Sequence, residues 1–143
     1  MREVDPPWLA DQQPLAYTAG HWTATGGAPS VWEMAAVYPA DYDAAAVLAG
    51  VRRTLDGCLG VELTVTTVRA DTVRLTVEAG PAGPAGSVLW SLRSPDWNCD
   101  NLLVAAANAA IEMTACSTRG GFDTASAATA ALQRIDRLVN TRA

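Results

Sequence analysis

Between Gly60 and Glu78, apolar and polar residues alternate with a period of two. Val61, Leu63 and Val65 face Glu62, Thr64 and Thr66, and then Val73, Leu75 and Val77 face Arg74, Thr76 and Glu78. This alternation predicts two half-buried strands joined around Arg69-Ala70-Asp71. Upstream, Trp22 to Thr25 and Val31 to Tyr38 read as strands separated by the turn Gly26-Gly27-Ala28-Pro29, with Pro39 stopping the second. After the loop Gly80 to Gly86, Val88, Trp90 and Leu92 alternate with Leu89 and Ser91, a further strand. Two segments carry the helical period instead. In the first, Ala44, Val47, Leu48, Val51 and Leu55 share a face behind Asp41 or Asp43 as cap, with Arg52, Arg53 and Asp56 off it; in the second, Ala128, Ala131, Leu132, Ile135, Leu138 and Val139 form a stripe behind Asp123 or Thr124.

The segment from Trp97 to Cys116 changes period part-way. Leu102, Leu103, Ala106 and Ala107 have helical spacing up to Asn108; beyond it Ile111, Met113 and Ala115 alternate with Glu112, Thr114 and Cys116. The expectation is a helix followed by a strand. Two of the three cysteines, Cys99 and Cys116, bracket this unit. A disulfide needs Cα atoms roughly 4.4 to 6.8 Å apart, whereas a continuous helix would hold the two about 25 Å apart. Only a reversal near Asn108 brings them together. The alternatives are a structural disulfide, the reading adopted, and two buried thiols; a closed loop of this size would contribute on the order of 3 kcal/mol by restricting the unfolded chain. The whole is an α+β domain: an antiparallel sheet of about six strands flanked by two long helices and stapled by a disulfide.

Composition narrows the function more than the fold. A chain of 143 residues, half of them hydrophobic, supports one core. Residues 1–14, with Pro6, Pro7, Trp8 and Pro14, form an extended lead-in, and residues 15–143 form the single domain. Every one of the ten basic residues is Arg, the mark of a GC-rich, actinobacterial coding bias. The net charge of −5, with no cluster of Arg larger than Arg52-Arg53, argues against nucleic acid as a partner. No stretch approaches the ~20 apolar residues of a membrane span, and Met1 to Gln13 has no signal-peptide core. Either the protein is cytoplasmic with reduced thiols, or the sequence is that of an ectodomain without its export segment; the spacing of Cys99 and Cys116 favours the second.

Candidate chemistry is sparse. His21 is the only histidine and has no Ser or Cys nucleophile in a local motif, so no catalytic residue is assigned and no enzymatic activity is expected. Three cysteines and one distant His make a poor zinc set, and neither a metal nor a cofactor is expected. Asp41 and Asp43, like Asp96 and Asp100, sit where helices are expected to begin, and capping accounts for them. Cys58, near the end of an apolar helix face, reads as a small buried residue. The five tryptophans are the better lead, because aromatic side chains commonly line ligand clefts. Core packing accounts for Trp32, Trp90 and Trp97, which leaves Trp8 and Trp22 as candidate ligand contacts.

The order of elements resembles a known family. Val37-Tyr38-Pro39 at a strand end, an Ala-rich helix ending in Cys58, then Trp97-x-Cys99, Asn108 and Ala115-Cys116 before a last Ala-rich helix are similar to the PknH-like extracellular sensor domains of mycobacterial receptor kinases and related exported lipoproteins. The similarity spans roughly Leu15 to Val139. It implies an antiparallel sheet flanked by helices, an extracytoplasmic setting, no catalysis, and a cleft for an envelope-derived small molecule or a partner protein. The family usually carries four cysteines in two bridges; here the early cysteine is missing and Cys58 is left over. A competing reading is a Mog1-like interaction domain that acts as a homodimer, through its sheet or Cys58.

Overall fold

The computed structural model describes residues 9, 13–26, 28–66 and 72–140. The turn expected at Arg69-Ala70-Asp71 lies outside them, as does Trp8. In chain order the elements are β1 (Ala16–Thr23), β2 (Ser30–Val37), α1 (Ala44–Cys58), β3 (Glu62–Thr66), β4 (Thr72–Ala79), β5 (Ser87–Arg93), β6 (Asn98–Ala106), β7 (Ala109–Ser117) and α2 (Thr124–Asn140). All seven strands form one antiparallel sheet in the order β1-β2-β7-β6-β5-β4-β3. The connection through α1 therefore carries the chain from one half of the sheet to the far edge, and lays the helix across a face on the way.

The helices cover opposite faces. Leu48 of α1 packs with Met34, Ala36, Tyr38, Val88, Leu103, Ala105 and Ala110, joined by Val51 and Leu55. Ala128, Ala131 and Ile135 of α2 pack on Leu102, Val104 and Ile111. Alternate residues of β6 thus serve different cores: Leu103 and Ala105 face α1, Leu102 and Val104 face α2. Both helices start on an aspartate, since Asp43 accepts from Ala46 N at 2.9 Å and Asp123 from Ser126 N at 3.0 Å. Leu9, in the N-terminal lead-in, is 1% exposed and joins the α1 core; Tyr38 Oη donates to its carbonyl at 3.3 Å.

The first strand runs from Ala16 to Thr23 rather than from Trp22 to Thr25, and at one element the expected type itself fails. The segment from Asn98 to Ala106 is a strand, and the sheet has seven strands rather than about six. The helical spacing of Leu102, Leu103, Ala106 and Ala107 was a coincidence within a run that is apolar because both of its sides are covered. Asn108 is accordingly no helix end. It belongs to the two-residue turn Ala107-Asn108 of the β6–β7 hairpin, with Ala107 at φ 49°. Its Nδ2 donates to Tyr38 O at 2.8 Å, and Tyr38 N donates to its carbonyl at 2.8 Å, which ties the hairpin tip to the end of β2.

The reversal joins the cysteines across the hairpin. Cys99 and Cys116 are opposite one another in the β6–β7 register, Cα atoms 4.1 Å apart, and form a disulfide. Replacing both with Ala should lower the unfolding free energy by about 3 kcal/mol, the chain-entropy value for a 17-residue separation. Chemical denaturation of the oxidised protein and of the double variant measures the difference. Cys58 remains a free thiol, half-buried at the end of α1.

Candidate functional site

A cavity of about 400 Å³ opens on the α1 side of the sheet. One wall is the C-terminal half of α1, where Arg52, Leu55, Asp56 and then Leu59 project on successive turns. The opposite wall is the Pro-Ala-Gly loop that joins β4 to β5, and the floor is Val88 and Trp90. The loop lies close enough to the sheet to require glycine at two positions. A Cβ at Gly80 would fall 2.6 Å from the backbone of Leu89, and one at Gly83 would fall 2.5 Å from Ser87 Oγ. Two hydrogen bonds set the rim. Ser87 Oγ donates to Pro84 O at 2.7 Å, holding the loop, and Arg52 Nη2 donates to Ser87 O at 2.7 Å, holding the guanidinium beside the opening.

Trp90 also begins a row of polar and aromatic residues that runs across the sheet on the same face. Register places Trp90 beside Asn101, Asn101 beside Thr114, Thr114 beside Trp32 and Trp32 beside His21. Thr114 Oγ1 donates to Asn101 Oδ1 at 2.8 Å, and Asn101 Nδ2 reaches the carbonyl of Cys99 at 3.3 Å. His21 and Trp32 stack with ring centroids 4.6 Å apart. The disulfide occupies the next row. On the other side lies Glu112, opposite both Met34 and Leu103.

Glu112 is a strongly perturbed acid. It is 8% exposed, and burial pushes its pKa up to about 8. A carboxylic acid in that setting is protonated at neutral pH. Tyr38 and Tyr42 stack at 4.1 Å on the same side. Burial raises both phenols, Tyr42 to about 12, and Glu112 adds to the effect on Tyr38. The Tyr42 hydroxyl is buried and has no hydrogen-bond partner among the described residues.

The α2 face holds a separate polar cluster. Asp100 accepts from Arg93 and from Ser91 Oγ at 3.2 Å through Oδ1, and from the backbone of Phe122 at 2.8 Å through Oδ2. Burial pushes the Asp100 pKa up, but the Arg93 hydrogen bond, the Phe122 N–H, the Arg93 charge and Ser91 together outweigh it and hold the group below the usual carboxylate range. Asp100 was read from sequence as a helix cap. Its role is different: it fastens the approach to α2 to the centre of the sheet.

Of the candidate contact residues, Trp22 lies away from the cavity. It is on edge strand β1, 55% exposed, with its ring against Gly20, where a Cβ would come 2.6 Å from Cη2. Trp8 falls outside the described residues. Trp90, assigned from sequence to the core, does pack there but also lines the cavity. The available signal was the loop before it, whose small residues leave the volume that a larger loop would fill. His21 has Thr23 Oγ1 at 3.2 Å and the Trp32 ring as neighbours, and among the described residues no serine or cysteine is hydrogen-bonded to it.

Residues 7–135 match the family model described as the PknH-like extracellular domain. The chain belongs to that family. Among solved structures it is similar to the crystal structure of the extracellular domain of PknH from Mycobacterium tuberculosis, with a TM-score of 0.74 and 19% identity over 96% of this chain and 72% of that one. At that identity the likeness establishes the fold. Among curated proteins none matches. The PknH-like domain is extracytoplasmic, in keeping with the Cys99–Cys116 disulfide. The family is that of a receptor-kinase sensor domain, and a Mog1-like assembly domain has no counterpart in these matches.

Proposed function

We propose that this PknH-like domain binds a small molecule of the cell envelope, and does so without chemistry. The observation that carries the proposal is the cavity between α1 and the β4–β5 loop. It combines an apolar lining, one aromatic floor residue and a few fixed polar groups, the composition of sites that bind small molecules. Neither Glu112 nor Asp100 supports hydrolysis, because the first is buried opposite Met34 and Leu103 and the second is committed to Arg93 and Phe122. Binding to the folded state alone stabilises it, by about 2.7 kcal/mol at a ligand concentration of 100 Kd. Small-molecule fractions of an actinobacterial envelope should therefore include one that raises the melting temperature of the domain and is recovered chemically intact. A fraction that is consumed would make the domain an enzyme.

A partner protein is the second reading. Edge strand β1 (AYTAGHWT) has no charged residue and exposes Tyr17 and Trp22, so it lacks the devices that usually block strand addition. A partner-bound form without any small-molecule response would favour it, as would a homodimer in sedimentation.

A further inference from the structure

The rim of the cavity carries one charge of each sign. Arg52 and Asp56 stand one turn apart on α1 and both line the opening. Arg52 spends one N–H on Ser87 O, and its guanidinium makes no other hydrogen bond or ion pair among the described residues. Asp56 makes no hydrogen bond or ion pair among the described residues. Below the rim the lining is apolar, with Leu55, Pro81, Pro84 and Val88 around the Trp90 ring.

This arrangement discriminates between ligand chemistries. A purely apolar ligand would cover both charges and return no hydrogen bonds, an outcome that costs free energy. An anion would meet Arg52 but also Asp56, on a chain whose net charge is −5. A cation would be repelled by Arg52. A neutral group that donates and accepts at adjacent positions satisfies both, and neighbouring hydroxyls do so because each is a donor and an acceptor. The aromatic floor and the proline-bearing wall suit a ring with a C–H face. About 400 Å³ lies within the range of roughly 300–1,000 Å³ typical of small-ligand pockets.

We infer that the cavity takes a neutral polyhydroxylated ring, one sugar unit of an envelope glycan or glycolipid, laid on Trp90 with its hydroxyls shared between Arg52 and Asp56. This rests on the cavity being the ligand site. Arg52 is the acceptor-binding group, Asp56 the donor-binding group, and the β4–β5 loop closes the apolar side.

Titration of the intact domain with the methyl glycosides of glucose, galactose and mannose, followed by amide and indole NMR shifts, tests the inference. At least one glycoside should move the signals of Trp90 Nε1–H and Gly83. Arg52→Ala and Asp56→Ala, both at exposed helix positions, should each weaken that glycoside about tenfold, the effect of losing one good hydrogen bond. Glucuronate and glucose 6-phosphate should bind more weakly than the neutral sugar. Tighter binding of octyl glucoside below its micelle concentration than of methyl glucoside would identify a glycolipid source, and equal binding a glycan.

The inference is overturned if the anions bind more tightly and Asp56→Ala strengthens them, or if glycoside binding ignores both substitutions. It also fails if no glycoside moves Trp90 while an envelope fraction still stabilises the domain, which leaves the small-molecule reading intact. Failure of both the glycosides and the envelope fractions would overturn the inference and that reading together.

Discussion

Glu112→Gln should make the domain more stable at pH 8, by on the order of 3 kcal/mol, and should leave it unchanged near pH 4. Burial raises the folded-state pKa of this acid from 4.5 to about 8. Below pH 4.5 the carboxyl is protonated in both folded and unfolded chains and has no effect on stability. Between 4.5 and 8 only the unfolded chain ionises, so stability falls with rising pH at up to about 1.4 kcal/mol per pH unit. Above 8 the loss levels off. Glutamine keeps the shape of the protonated acid and removes the titration. Urea denaturation of both proteins from pH 4 to pH 9 should show a sloping profile for the wild type and a flatter one for the variant. Parallel profiles would mean that Glu112 ionises as freely in the folded chain as in the unfolded one.

Asp100→Ala should have the opposite sign at neutral pH, with a loss of about 3 kcal/mol, the low end for breaking a buried ion pair because the Arg93 side chain keeps 29% of its exposure. The substitution strands the Arg93 guanidinium, whose Nη1 is already buried with no partner among the described residues, and removes the acceptor of Phe122 N. Its pH dependence mirrors that of Glu112. A carboxyl whose pKa is lowered on folding stabilises above its ordinary value of 3.8 and loses that contribution as pH falls through the folded value. The wild type should therefore lose stability in acid where Asp100→Ala, already lacking the pair, loses less. Taken together, the two acids place the stability maximum on the acidic side of neutrality. Denaturation at pH 7 and at pH 3 measures both effects, and an acid limb equally steep in the two proteins would remove Asp100 as its source.

Most of this architecture was legible where one side of an element faces water. Strands β3 and β4 alternate cleanly because Glu62, Thr64, Arg74 and Glu78 are exposed while Leu75 and Val77 are buried. Helices α1 and α2 announced themselves through an apolar stripe and an Asp cap. Strand β6 was illegible for the complementary reason: with helices on both faces it has no polar side, and a short continuous apolar run does not distinguish strand from helix. The same sandwiching hid Glu112. Its alternation with Ile111 and Met113 reads as inward and outward, but both sides of β7 are covered, since Ala110 belongs to one core and Ile111 to the other.

The site was less legible than the fold. Apart from the small-residue loop that precedes Trp90, the sequence does not tell a tryptophan that only packs from one that packs and also lines a cavity, and local pattern alone therefore favours Trp22, an exposed edge residue, over Trp90. Arg52 and Asp56 read as the solvated side of a helix. They become a rim only once the loop at Pro81–Pro84 folds back against α1, a contact between segments about 30 residues apart that no local pattern encodes.

The most direct test of the account is native mass spectrometry of the intact domain incubated with envelope small-molecule fractions, comparing the wild type with Ala85→Phe. Ala85 is exposed on the loop and lines the cavity, so phenylalanine there fills the space without entering either core. The wild type should form a one-to-one adduct that the variant loses while keeping its melting temperature. An adduct equally abundant on both proteins, or on neither, would contradict it.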